Sequence, residues 1–143
     1  MSQKKAKIIR SKGNRHVAID IDNYGDIISF IKSKDIYVKK FNRIIDIILN
    51  NLRVPDLFDK EDIDNKSKDV WAMKFLKGGD NPRIYCKEIR TEEKHYIIVT
   101  SVVLPKKKNQ ENKSKEKSLI RQVAGYDYSI VYPPLPNKNE NGK

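Results

Sequence analysis

Arg83, Tyr85 and Lys87 alternate along the segment Arg83–Ile89 (RIYCKEI). If that segment is a strand, they share one face and send two cations and an aromatic ring to the same side. The neighbouring apolar segment, His95–Leu104 (HYIIVTSVVL), runs into Lys106, Lys107 and Lys108, and further on come Arg121, Tyr126 and Tyr128. Cations interleaved with tyrosines suit RNA, because lysine and arginine hold phosphates while aromatic rings stack on unpaired bases. A competing arrangement puts Tyr85 in the core and leaves the cations as a solvated sheet surface. Spacing alone does not choose between the two.

Other chemistries find less support. Gly78-Gly79 lacks the spaced glycine and the following GK[ST] of a phosphate-binding loop, and neither GxSxG nor HExxH occurs. Asp20 and Asp22 would share a face of an alternating strand, with Asp26 nearby, as in a hydrolase metal site. Aspartates at a strand-to-loop junction more often serve solvation, and no metal or other cofactor is assigned. His16 and His95 are the only histidines and Cys86 the only cysteine, which excludes cysteine-pair metal fingers and an internal disulfide. His95 is the one imidazole near the hairpin.

These groups need elements to hold them. The apolar positions Ile27, Ile28, Phe30, Ile31 and then Tyr37, Val38, Phe41, Ile44, Ile45, Ile48, Leu49, Leu52 recur at spacings of three and four. That period predicts two amphipathic helices divided near Ser33–Asp35. His16–Ile21 (HVAIDI) predicts a short strand before them. Asp56–Lys68 is acidic and reads as a loop with a short helical turn. Arg83–Ile89 and His95–Leu104, joined by the polar Thr91–Lys94, predict an antiparallel hairpin whose second strand is buried on both faces. A short helical face at Ser118–Ala124, closed by Gly125, precedes a final strand near Ile130.

The chain has 143 residues with Lys+Arg 30 against Asp+Glu 19, a formal charge of +11. Its polarity is uneven: Met1–Arg15 carries six cations and no acid, whereas His16–Asp64 has a slight excess of acids. This length predicts one domain over residues 16–132, with a flexible basic arm at 1–15 and a disordered Pro/Asn-rich tail at 133–143. No apolar run approaches the roughly 20 residues that span a bilayer, and no apolar leader follows the first methionine. The expectation is a cytoplasmic protein with anionic partners and no membrane association.

The string from Met73 to Tyr128 resembles the RelE/HigB-type bacterial toxin superfamily. The resemblance lies in the Arg83-Ile84-Tyr85 strand start, the apolar strand running into lysines (VVLPKKK), and a short helix with Ile120 and Ala124 followed by Tyr126-Asp127-Tyr128. It implies an α+β fold with two N-terminal amphipathic helices packed on a small antiparallel sheet and a short C-terminal helix. It also implies a toxin restrained by a cognate antitoxin protein, cutting messenger RNA without metal, usually on the ribosome. Arg83, Lys87, Lys107 and Arg121 would then stabilise the phosphorane, and Tyr128 or Tyr126 would stack on a base or transfer a proton. His95 would be a candidate base, although a strand start more often leaves it exposed and idle. Tyr85, Lys106, Lys108 and Tyr126 would contact the RNA. The alternative is a non-catalytic RNA- or DNA-binding module using the same basic face.

Overall fold

The computed structural model describes residues 3–61, 63–76, 82–104 and 113–132. Its elements are β1 (Gln3–Lys12), β2 (Arg15–Asp20), α1 (Tyr24–Lys32), α2 (Asp35–Leu49), β3 (Phe58–Lys60), β4 (Val70–Lys74), β5 (Arg83–Arg90), β6 (Tyr96–Leu104), α3 (Lys113–Ala124) and β7 (Asp127–Val131). A single 3-10 turn, Asn65–Ser67, precedes β4.

The strands form one seven-stranded sheet in the order β3-β4-β5-β6-β2-β1-β7. Pairing is antiparallel except between β2 and β6 and between β1 and β7, which are parallel. This corrects the expected architecture. The sheet is mixed and larger than a small antiparallel one, two strands precede the helical pair, and a third helix lies on the opposite face. The helical pair is the connection that carries the chain from β2 to β3. A four-strand meander then returns β6 beside β2 in the same direction.

The segment expected to be a flexible arm is β1. Its pattern is alternating but faint: Ala6 and Ile8 are buried on one side while Lys5 and Lys7 stay exposed on the other. Its stability comes from pairing on both edges, antiparallel with β2 through Ala6↔Asp20 and parallel with β7 through Lys4↔Tyr128. Within 56–68, where a loop was expected, β3 adds a short edge strand to β4. The expected tail at 133–143 lies outside the described residues.

Helices α1 and α2 bury their apolar stripes against one face of the sheet. Ile27, Ile31, Phe41, Ile44 and Ile48 meet Val17, Ile19, Ile84, Cys86 and Ile98 there. Phe30, Tyr37 and Phe75 close one end as an aromatic trio with ring centroids 4.8–5.6 Å apart. On the other face, Ile120 and Val123 of α3 cover Val70, Ala72, Tyr85 and Leu104. Beside them Ala6, Ile8, Ala18, Ile97 and Val99 form a third cluster, against which Tyr128 and Ile130 pack. Strand β6 is the middle strand and is buried on both faces, as its β-branched run predicts.

One irregularity positions chemistry. The β5–β6 register shifts between Tyr85↔Val102 and Cys86↔Thr100, leaving Ser101 without a cross-strand partner. A bulge of this kind turns two consecutive side chains to one side. Ser101 and Val102 both face away from α1 and α2, so Ser101 reaches the groups contributed by β2 and β7.

Candidate functional site

The polar cluster that the fold assembles lies at the end of the sheet where β2 finishes and β1 and β7 begin. Asp20, the last residue of β2, is fully buried (0% exposed). Burying a carboxylate is costly unless every lone pair finds a donor. Here the Asn23 N–H donates to Asp20 Oδ1 at 3.0 Å and the Tyr128 hydroxyl donates to Asp20 Oδ2 at 2.6 Å. Lys4 Nζ stands 3.3 Å from the same Oδ2 and 3.1 Å from Asp22 Oδ2. Ser101 Oγ lies 2.9 Å from the Tyr128 hydroxyl, and the Asn23 amide donates to the Ser101 carbonyl at 2.8 Å. Tyr126 completes the group, with the Lys4 ammonium 4.6 Å above its ring and its ring edge-on to Tyr128 at 5.8 Å.

The electrostatics follow from this packing. Burial, reinforced by the hydrogen bond to Asp20, pushes the Tyr128 hydroxyl well above the ordinary tyrosine value, so it stays protonated. For Lys4, burial opposes the charge, but hydrogen bonds and attraction from Asp22 and Asp20 outweigh it and raise its pKa. The arrangement is a proton donor and a fixed ammonium side by side. The ammonium already occupies the place between Asp20 and Asp22 where a metal would sit. Among the described residues there is no group of three or more His, Cys, Asp or Glu able to hold a metal ion.

The other sequence candidates are placed differently. Tyr85 is fully buried beneath α3, so its ring is core and is not offered to a base, which corrects its assignment as an RNA contact. Burial, with Glu61 and Glu116 adding to it, holds its hydroxyl above the usual range. Lys87, on the same face of β5, donates to the Ala124 carbonyl at the end of α3. Arg83 is paired with Glu61 at 2.7 Å, the two side chains being 13% and 18% exposed. Arg121 bonds Asp64 at 3.1 Å on the surface, and that contact holds the Asp64 carboxyl below its usual value. Lys106, Lys107 and Lys108 lie outside the described residues. Of the expected constellation, the structure therefore joins Tyr126 and Tyr128. It ties Arg83, Lys87 and Arg121 to other parts of the protein.

Three members of the cluster escaped the sequence reading: Lys4, Ser101 and Asp20 as a hydrogen-bond acceptor. Asp20 carried a usable signal, since it shares its side of β2 with the buried Ala18, where a solvated carboxylate is out of place. At the opposite end of β2, roughly 13 Å away by strand rise, His95 is also not idle. Its Nδ1 lies 2.8 Å from His16 Nε2, while His16 Nδ1 lies 2.6 Å from Ser11 Oγ.

No helix among the described residues is long and apolar enough to cross a membrane. No family model, no curated protein and no solved structure matches the chain.

Proposed function

We propose that the protein is the toxin of a toxin–antitoxin pair, an endoribonuclease that cuts messenger RNA in the cytoplasm without a metal. The observation that carries this reading is the contact between Tyr128 and Asp20, a hydroxyl held protonated beside the Lys4 ammonium. The resemblance of the Arg83–Tyr85 strand, the lysine run and the closing tyrosines to RelE/HigB-type toxins supports it.

RNA cleavage of this type begins when a 2′-hydroxyl attacks the adjacent phosphate and loses its proton to water. The bond from phosphorus to the 5′ oxygen then breaks, and Tyr128 gives that oxygen a proton. So weak an acid transfers its proton only as the leaving oxygen gains alkoxide charge, which confines its help to the transition state. Lys4 supplies a fixed positive charge near the phosphorane. Asp20 is buried beyond the reach of substrate and acts as a positioning residue for Tyr128. The cluster carries one ammonium against two carboxylates, so attraction for phosphate must come from other cations, with Lys106–Lys108 as the sequence candidates.

The second reading is a non-catalytic RNA- or DNA-binding module, in which the Tyr128–Asp20 contact is structural; it loses the same cations, since Arg83, Lys87 and Arg121 are engaged with protein acceptors. Cations held in that way are not free to meet a developing phosphorane.

Induction of the gene in a bacterial host, with message ends mapped by sequencing, separates the two. The toxin reading expects growth arrest and new message ends with the wild type, and intact messages with a folded Tyr128→Phe variant. Intact messages with folded wild type would end it. RNA affinity falling steeply with salt, without cleavage, would leave the second reading.

A further inference from the structure

The cluster at the sheet end continues around its rim into a surface that the reaction above does not use. The loop between β2 and α1 is pinned from both sides: the Ile21 N–H donates to the Lys5 carbonyl at 3.0 Å, and Asn23 is bonded to Asp20 and Ser101. Tyr24 follows at once as the first residue of α1, on a backbone fixed by those bonds. Its side is nevertheless open, with Tyr24 49% and Ile21 43% exposed. Together with Lys7, and with the buried Ile19 as floor, they line an open cavity of about 390 Å³.

Lysines and an acid share this side of the sheet edge, Asp127 being exposed on β7 opposite Gln3. Lys5 and Lys7 are exposed on the same side of β1, and neither is in an ion pair among the described residues. Of the nearby acids, Asp22 is taken up by Lys4. Asp26 lies about 200° around the helix from Tyr24. Tyr24 makes no ring contact among the described residues. An aromatic face left open on a rigid backbone and flanked by unpaired lysines is complementary to one nucleotide of a single strand. The base has a π-face for the ring, and the phosphates on either side have charge for the ammonium groups. A folded acidic protein would need hydrogen-bond partners along the rim, and a duplex would not expose a base to stack.

We infer that Tyr24 is a base-stacking subsite for single-stranded RNA, with Lys5 and Lys7 on the flanking phosphates, leading the strand past the sheet end toward Tyr128. The inference rests on the reading of that end as an RNA site and names how the substrate approaches it.

The test is a titration of the full chain with an unstructured, fluorescein-labelled oligoribonucleotide, 2′-O-methylated so that it cannot be cut. Tyr24→Ala should weaken binding roughly 5- to 150-fold, the range seen when a stacking ring is removed. Tyr24→Phe keeps the ring and should bind like wild type. Lys7→Ala should lower the slope of log affinity against log salt by about 0.7, whereas Tyr24→Ala should leave that slope unchanged. Circular dichroism checks that each variant is folded. If Tyr24→Ala binds like wild type while Tyr126→Ala does not, the RNA reading stands and this subsite is wrong. If folded wild type binds no RNA at any salt, the RNA reading fails and the subsite with it.

Discussion

Tyr128 and Asp20 are separated by 108 residues of chain, yet hydroxyl and carboxylate meet at 2.6 Å in a place closed to solvent on the Asp20 side. Each explains the other's state. The carboxylate is tolerated in the core because donors surround it, and the hydroxyl keeps its proton because it is buried and, next, because a negative oxygen faces it.

Asp20→Asn preserves the shape and removes the charge. Breaking a buried pair from one side costs about 3–5 kcal/mol, and the lower end is expected because Lys4 keeps Asp22. The Tyr128 hydroxyl should then ionise at lower pH, measurable by absorbance at alkaline pH against a Tyr128→Phe control. An unchanged tyrosine titration would show that the two groups are not coupled.

Tyr85→Ala should destabilise by about 3–5 kcal/mol through the cavity it leaves beneath α3, read from denaturant unfolding. RNA binding by the remaining folded molecules should match wild type, since the ring is core. Weaker binding by a fully folded Tyr85→Phe variant would contradict that placement.

Arg83 and Glu61 should behave as a structural pair. In a double-mutant cycle, Arg83→Ala and Glu61→Ala should each destabilise, and the double variant should cost less than their sum by about 0.5–3 kcal/mol. A stable Arg83→Ala variant that has lost only RNA cleavage would instead return Arg83 to the phosphate.

Acid should weaken the fold through His16. Burial first, and then the facing His95, lower its pKa below the ordinary 6.5. The unfolded chain therefore binds the proton more readily than the folded one. The stability that His16 contributes is complete above about pH 6.5 and declines as pH falls through the lowered folded value. Unfolding midpoints measured from pH 8 to pH 5 should drop in the wild type and drop less in His16→Gln. A flat wild-type profile would contradict this.

The sequence made the local elements legible. Spacings of three and four from Ile27 to Leu49 fall on α1 and α2, with the break at Ser33–Lys34, and the β-branched run of His95–Leu104 falls on β6. What it concealed is non-local. Gln3–Lys12 offers Ala6 and Ile8 to one core and Ile9, at a register shift, to the other, and this broken alternation does not announce a strand. Its order comes from β2 and β7, and a pattern inside the segment cannot report partners at that distance. The site divides in the same way. Tyr126 and Tyr128 stand out by type, whereas Lys4 looked like one charge among many in an arm. Ser101 depends on a bulge that alternation does not foresee.

Within the described structure, β7 has only β1 as its neighbour, so the sheet is finished by joining the first strand to the last. During synthesis β1 emerges first and can form its hairpin with β2 at once. Tyr128 can dock only after 108 further residues have left the ribosome. A nascent chain therefore holds Asp20 and Lys4 without the tyrosine that completes them for as long as the intervening residues take to be made.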